Sequence, residues 1–183
     1  MSNPVIITLL IACVVLSAFF SGTEMVFAKV NKTKLTRDAE NNVKSAILAN
    51  SFAQDYNDTI TIILIGNNLV NIAASSMATI LFTSLNPVNG EMYATLIMTS
   101  VILVFGEIIP KSIATSYANG LSRVLAYPMR FFQIIFWPIT WVIKKAMNGL
   151  NKLLSKKSTE DEIDEDEADL FSLIDSMYEE KGE

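Results

Sequence analysis

The sequence contains no histidine and a single cysteine, Cys13. Without histidine no side chain titrates near neutrality for acid–base work, and one thiol can neither close an intramolecular disulfide nor complete a Cys/His zinc site. No nucleophile–base pair and no phosphate-cradling glycine-rich loop compensates, so an enzyme is not expected. Charge is also scarce, at 18% of 183 residues against 51% hydrophobic residues, with a mean hydropathy of +0.37. Such a chain is too apolar for an ordinary soluble domain and reads as a membrane protein. Lysine and arginine are missing altogether from residues 1–28 and 45–110.

The charge that is present is unevenly placed. Residues 1–159 carry 13 Lys/Arg against 7 Asp/Glu, whereas residues 160–183 carry 1 against 12. The acidic isoelectric point therefore describes the tail. The body is a basic-flanked membrane unit whose positive charges suit anionic membrane lipid, and no nucleic-acid partner is expected.

Three apolar stretches predict membrane-spanning helices in an all-α fold. Val5–Phe20 is apolar apart from Thr8 and Ser17 and lacks a basic n-region, so it reads as a retained span and not a signal peptide. Thr59–Gly90 has no charged side chain, is long enough for a bilayer crossing of about 20–25 residues, and closes on the turn signal Asn86-Pro87-Val88-Asn89-Gly90. The third span starts near Met92 and must continue past Gly106 and Glu107, which puts a carboxylate inside the membrane. A fourth stretch, Val124–Ile143, carries Arg130 and Gln133 and is interrupted by Pro128 and Pro138.

The positive-inside rule arbitrates. Lys29, Lys32, Lys34, Arg37 and Lys44 follow the first span, so the first loop is expected to be cytoplasmic and the N-terminus outside. If 124–143 crossed, Lys144, Lys145, Lys152, Lys156 and Lys157 would lie outside; if it forms a belt along the inner leaflet, all 14 basic residues and the C-terminus are cytoplasmic. Three spans plus a belt is the more economical topology, with four spans as the alternative. Phe131, Phe132, Phe136, Trp137 and Trp141 read as interfacial anchors of the belt, and Asn31–Asn57 as a juxtamembrane helix. The expected division is a membrane domain over 1–150 and a cytoplasmic acidic segment over 151–183. In that segment Ile163, Leu170, Phe171, Leu173, Ile174, Met177 and Tyr178 recur at helical spacing, as in an amphipathic helix. The chain stops in polar sequence at Lys181-Gly182-Glu183, the expectation for a piece of a longer protein.

Polar groups at bilayer depth are the informative ones, since a charge there costs at least about 2.5–3.5 kcal/mol and marks a pathway or site. Three clusters stand out: Ser21-Gly22-Thr23-Glu24, Gly66-Asn67-Asn68-Leu69-Val70-Asn71 and Gly106-Glu107-Ile108-Ile109-Pro110-Lys111. Helical rise places all three in the inner half of the membrane, within roughly 8 Å of one another along its normal. Pro110 has no N–H, so the Gly106 carbonyl loses its helical partner beside the Glu107 carboxylate. Ser21 adds a hydroxyl, and Asn67 and Asn71 add amide oxygens one turn apart. This all-oxygen set with one formal negative charge suits a hard cation such as Mg²⁺ or Na⁺. Plainer readings stand beside it. Gly66 serves close helix packing, Asn67 and Asn71 bond between helices, Ser21-Gly22 breaks a helix, and Glu107 snorkels to the inner interface or pairs with Lys111 one turn on. Glu24 reads as an interfacial charge.

These three motifs in this order resemble the transmembrane domain of the CNNM/CorC family of magnesium transporters, over roughly residues 3–180. The resemblance implies a homodimer of three-span protomers with an external N-terminus, a juxtamembrane belt and an acidic cytoplasmic helical region. It implies Mg²⁺ transport across the plasma membrane by alternating access, with a largely dehydrated ion held in a cavity open to the cytoplasm. Carried over, the ligands are Ser21, Asn67, Asn71, Glu107 and the Gly106 carbonyl, with Gly22, Pro110 and Lys111 supporting them. Asn68 leaves open which amide faces the ion. Family members continue into a pair of CBS domains that bind ATP, and Na⁺ is the candidate coupling ion for export. The rival reading is a membrane-embedded regulator of another ion transporter, with a structural cation site; a Na⁺ carrier is a third.

Overall fold

A computed structural model describes the backbone of residues 3–179 and the side chains as far as Met147. Among the described residues every element is helical: α1 (Asn3–Lys29), α2 (Lys32–Glu40), α3 (Lys44–Gln54), α4 (Tyr56–Leu85), α5 (Gly90–Val101), a π-helical segment (Ile102–Ile108) and α6 (Ile109–Glu179). Three helical stretches are long and apolar enough to cross a membrane, Asn3–Lys29, Tyr56–Leu85 and Gly90–Met147. The protein is an all-α membrane protein, as its hydropathy predicts.

The chain divides into two compact units, Met1–Trp137 and Pro138–Glu183. That boundary falls before the one expected at residues 150/151. In the second unit the Lys145 ammonium lies 5.2 Å from the centroid of the Trp141 ring, a cation–π contact. The expected amphipathic face of the acidic segment lies outside the residues whose side chains are described.

In the first unit α1 packs on α4 and on the π-helical segment, α4 packs on α5, and α2 pairs with α3. The short α2–α3 hairpin is specified by its caps. Asn31 accepts the Lys34 N–H at 2.9 Å to start α2. Asn42 ends it with φ +60°, while the Asn42 and Val43 N–H groups bond back to the Ala39 and Asp38 carbonyls. That pair of bonds is the Schellman arrangement, for which asparagine is the second choice after glycine. At the other end of α4, Asn86 accepts the Val88 and Asn89 N–H groups and so makes the turn into α5.

Two apolar clusters hold the spans together. At the end away from the basic residues, Ile6 and Leu10 meet Ala74, Ala78, Leu81, Ala94 and Met98. At the basic end Phe20 and Phe27 join Leu35, Phe52, Ile62 and Ile63, with Ala126 and Met129 from α6. A ring of exposed large side chains, among them Ile11, Val15, Leu64, Ile72, Leu96 and Phe105, covers the outside of the bundle. In water this would be a liability; against acyl chains it is the expected surface.

The stretch expected to form a belt does not lie only at the surface. Helical geometry fails at Tyr117 (φ −119°, ψ 21°), and beyond it the chain runs back along α1. Asn119 accepts the Asn31 N–H, Arg123 pairs with Asp38, and the Phe132 ring lies 5.6 and 4.8 Å from those of Phe19 and Phe20. The 13 residues from Asn119 to Phe132 rise about 20 Å, against about 17 Å from Asn31 back to Phe19–Phe20, so an antiparallel register accounts for both contacts. The expected aromatic anchors are therefore split: Phe136 is buried and Phe132 packs inward, whereas Phe131, Trp137 and Trp141 stay exposed. Replacing Phe132 by alanine is expected to cost about 3 kcal/mol, the usual scale for a core aromatic, whereas Ile134→Ala, at an exposed position, changes stability by under about 1 kcal/mol. Thermal unfolding of the detergent-purified variants checks this.

Candidate functional site

Between the two apolar clusters lies a polar layer where all three expected motifs meet. Two glycines set how closely the spans approach. A Cβ on Gly66 would stand 2.2 Å from the Phe20 Cζ, so the ring of α1 lies directly on the α4 backbone. A Cβ on Gly106 would stand 2.8 Å from the Ser17 Oγ, which brings the π-helical segment against α1 at the same level. The space a methyl group would take is filled by a neighbouring side chain at both positions.

Ser17, fully buried, donates its hydroxyl to the Asn67 Oδ1 at 3.2 Å, joining α1 to α4 beside Gly106. Toward the basic end, Gly22 faces Pro110, with 3.8 Å from its ideal Cβ to the proline Cβ and carbonyl oxygen, and then Glu24 pairs with Lys111 at 3.1 Å. These successive contacts show α1 and the third span running in the same direction, with α4 opposed. Three spans in this alternation put the two ends of the first unit's bundle on opposite sides.

The backbone around Pro110 departs from the expected broken helix. The helix widens instead, and the Ile109 N–H bonds to the Val104 carbonyl, five residues back. A π-helical turn absorbs the missing proline N–H without opening the chain, and such turns concentrate at functional sites. Gly106 is buried within it and Glu107 is half-buried, with no ion-pair partner among the described residues. Of the two plain readings of Glu107, the pairing with Lys111 fails, because Lys111 reaches across to Glu24 on α1.

Among the described residues, two buried oxygens at this layer have no hydrogen-bond partner, the Ser21 Oγ and the Asn71 Oδ1. Both belong to the expected ligand set. Asn68 is exposed, whereas Asn67 and Asn71 turn inward on the face of α4 that meets α1. The set is nonetheless not one compact shell. Ser21 lies one turn from Ser17 toward the basic end, and Asn71 lies one turn from Asn67 toward the other, because α1 and α4 are antiparallel. Along the bundle axis they stand about 12 Å apart. The layer is a short ladder of oxygens: Ser21 at one end, Ser17, Asn67 and Gly106 in the middle, and Asn71 at the other.

Ser17 was legible in the sequence only as a polar exception in an apolar run. Its spacing of four from Ser21 places both hydroxyls on one helix face, and that signal was available. No group of three or more His, Cys, Asp or Glu gathers among the described residues, so any ion held here is held largely by neutral oxygens.

A three-span helical bundle with a buried ladder of neutral oxygens and one acid defines a membrane domain built around an intramembrane polar site. The chain belongs to the CNNM family, matching the Cyclin M transmembrane N-terminal domain over residues 8–183. It is similar to a UPF0053 protein of Haemophilus influenzae, 35% identical over 149 residues that cover 81% of this chain and 36% of that protein. It is similar also to the UPF0053 inner membrane protein YfjD of Escherichia coli, 33% identical over 143 residues covering 78% and 33%. A chloroplastic DUF21 domain-containing protein of Arabidopsis thaliana is 32% identical over 157 residues, covering 85% and 24%. The chain thus spans about a third or less of the length of these relatives.

The glycine contacts make a graded prediction. Gly66→Ala must displace the Phe20 ring and is expected to cost about 1–3 kcal/mol, whereas Gly22→Ala, whose Cβ meets only ordinary contacts, stays within about 0.5 kcal/mol. Thermal unfolding in detergent reads both, and equal losses would contradict the packing described.

Proposed function

We propose that this domain carries Mg²⁺ across the plasma membrane by alternating access, with the N-terminus outside and the basic end of the bundle in the cytoplasm. The observation that carries the reading is the pair of buried oxygens without a hydrogen-bond partner among the described residues, Ser21 Oγ and Asn71 Oδ1, in a layer whose one acid, the half-buried Glu107, has no ion-pair partner among them. A buried polar group left unsatisfied costs about 1–3 kcal/mol, so a fold that keeps two of them on one seam gains when something else satisfies them. A hard cation is the ligand that oxygens of this kind satisfy, and one carboxylate offsets part of its charge.

Mg²⁺ takes oxygens at about 2.1 Å, so its first shell is only about 4 Å across. Ser21 and Asn71, about 12 Å apart along the axis, then serve successive positions of the ion and not a single one. Ser17, Asn67, the Gly106 carbonyl and Glu107 supply the position between them. Movement of α1 and the third span against α4 would hand the ion from one end of the ladder to the other. Pro110 keeps the π-helical turn in place, and Lys111, held by Glu24, stays away from the Glu107 carboxylate. In this reading the protein is a homodimeric carrier and not an enzyme, Na⁺ is the candidate coupling ion, and an ATP-binding CBS pair belongs to the longer protein.

Thermal stability of the purified chain against Mg²⁺, Na⁺ and K⁺ at matched ionic strength tests the site. At about 100 times Kd a ligand that binds only the folded state adds about 2.7 kcal/mol, a shift of about 5–10 °C for a chain of this size. The shift is expected with Mg²⁺, is lost in Glu107→Gln, and is only modestly reduced in Glu24→Ala. Equal loss in both variants would sink the assignment. Mg²⁺ flux by the purified protein alone in liposomes separates a carrier from a regulator of another transporter: a stabilised protein that moves no ion favours the regulator.

A further inference from the structure

At the basic end of the first unit, well away from the oxygen ladder, a cavity of about 270 Å³ opens between the α1–α2 junction (Val30, Asn31), α2 (Lys34, Asp38) and α6 (Asn119, Arg123). Its electrostatics are unbalanced. Arg123 is paired with Asp38, whereas Lys34 has no carboxylate partner among the described residues. The positive end of α2 opens here as well, while Lys32, Arg37 and Glu40 line a separate depression on the same helix. Arg123 keeps guanidinium donors beyond those on Asp38, and a fork of that kind matches a phosphate.

A second depression, of about 440 Å³, adjoins the first and shares Asn119 and Gly120 with it. Its remaining walls include Tyr117, Leu121 and Val124, and Tyr117 and Val124 are both about two-thirds exposed. Gly120 forms the passage between the two, with nothing within 4 Å of where its Cβ would be. The kink at Tyr117 creates this arrangement, because it turns α6 back so that Asn119 and Arg123 face α2 while Tyr117 and Val124 remain outside.

We propose that the two depressions together form a binding site for one anionic phospholipid, with the phosphate in the Lys34–Arg123 cavity and an acyl chain along Tyr117, Leu121 and Val124. A polar, cationic cavity joined to an apolar groove has the amphiphile's own two-part chemistry, and it lies at the basic ends of the spans, where headgroups of an anionic leaflet would be found. A free phosphate would use the cavity and ignore the groove, which is why the pair of depressions points to lipid.

The test is the apparent Tm of the detergent-purified chain with added phosphatidylglycerol, phosphatidylcholine or inorganic phosphate. Phosphatidylglycerol is expected to raise it by roughly 5 °C over phosphatidylcholine, and phosphate alone to leave it unchanged. Lys34→Gln should at least halve the phosphatidylglycerol increment, while Lys44→Gln, an equal loss of charge at an exposed position of α3, should keep it. Arg123→Gln strands Asp38, so Arg123→Gln combined with Asp38→Asn is the safer variant, and it too should lose the increment. Gly120→Leu sets its Cβ in open space and improves helix propensity, so its stability in phosphatidylcholine should hold or rise while the increment disappears. Equal effects of the two lipids, an increment that survives in both Lys34→Gln and Gly120→Leu, or the same loss in Lys44→Gln would overturn the site. An increment reproduced by phosphate alone would overturn the lipid.

Discussion

The closeness of α1 to α4 and to the third span is the constraint on which the rest of the structure depends, and it rests on two missing Cβ atoms. At Gly66 the Phe20 ring occupies the place a side chain would take, and at Gly106 the Ser17 hydroxyl does. Inside a membrane, burial of apolar surface gives little drive for helix association, so packing at small residues and hydrogen bonds between helices must supply it. The Ser17–Asn67 bond forms beside Gly66 and Gly106, where both kinds of interaction are available. Apolar clusters then pack the spans together on either side of that level.

The π-helical turn meets a second constraint. Proline at 110 removes a backbone donor at a depth where water cannot replace it, and a widened turn is a way to keep the neighbouring carbonyls partnered in a continuous helix. It also keeps Gly106 buried against α1 and leaves Glu107 half-buried on the same turn. One turn further on, Lys111 is drawn across to Glu24, so the cation nearest in sequence to Glu107 is committed elsewhere. A carboxylate without an ion-pair partner and buried oxygens without donors, among the described residues, are what the proposed cation carrier requires.

The kink at Tyr117 has consequences of a different kind. By sending α6 back along α1 it places Phe132 on Phe19 and Phe20, the same rings that define the packing at Gly66. The element that follows the third span is thereby packed onto the wall of the oxygen layer, so anything that moves one of them must repack the other. Occupancy of the proposed lipid site, which shares Asn119 with the Asn31 contact, would bear on the same joint.

Much of this was legible in the residues. Apolar length gave three spanning helices, the placement of lysine and arginine gave their alternation, and the Ser21, Asn67/Asn71 and Gly106–Lys111 motifs marked the level at which they meet. Hydropathy and charge act locally along a chain, and the bilayer converts them directly into spans and depth. What they could not carry is the rotation and register of one helix against another. Ser17 joined the site because its face of α1 meets Asn67, and Asn68 left it because its face of α4 does not. Antiparallel packing drew Ser21 and Asn71 apart although their depths along separate helices had seemed to match, and Lys111 chose Glu24 over its own helix neighbour. The fold-back of residues 118–137 was hidden for the same reason: a bend at one residue has almost no compositional signature, and only the aromatic and ionic partners it meets on α1 and α2 fix where the chain goes next. The sequence by itself determined how many helices cross and which polar residues they take with them, because transfer free energy is a property of each segment alone; the tertiary structure decided which of those oxygens meet, because that depends on side-chain contacts between segments far apart in the chain.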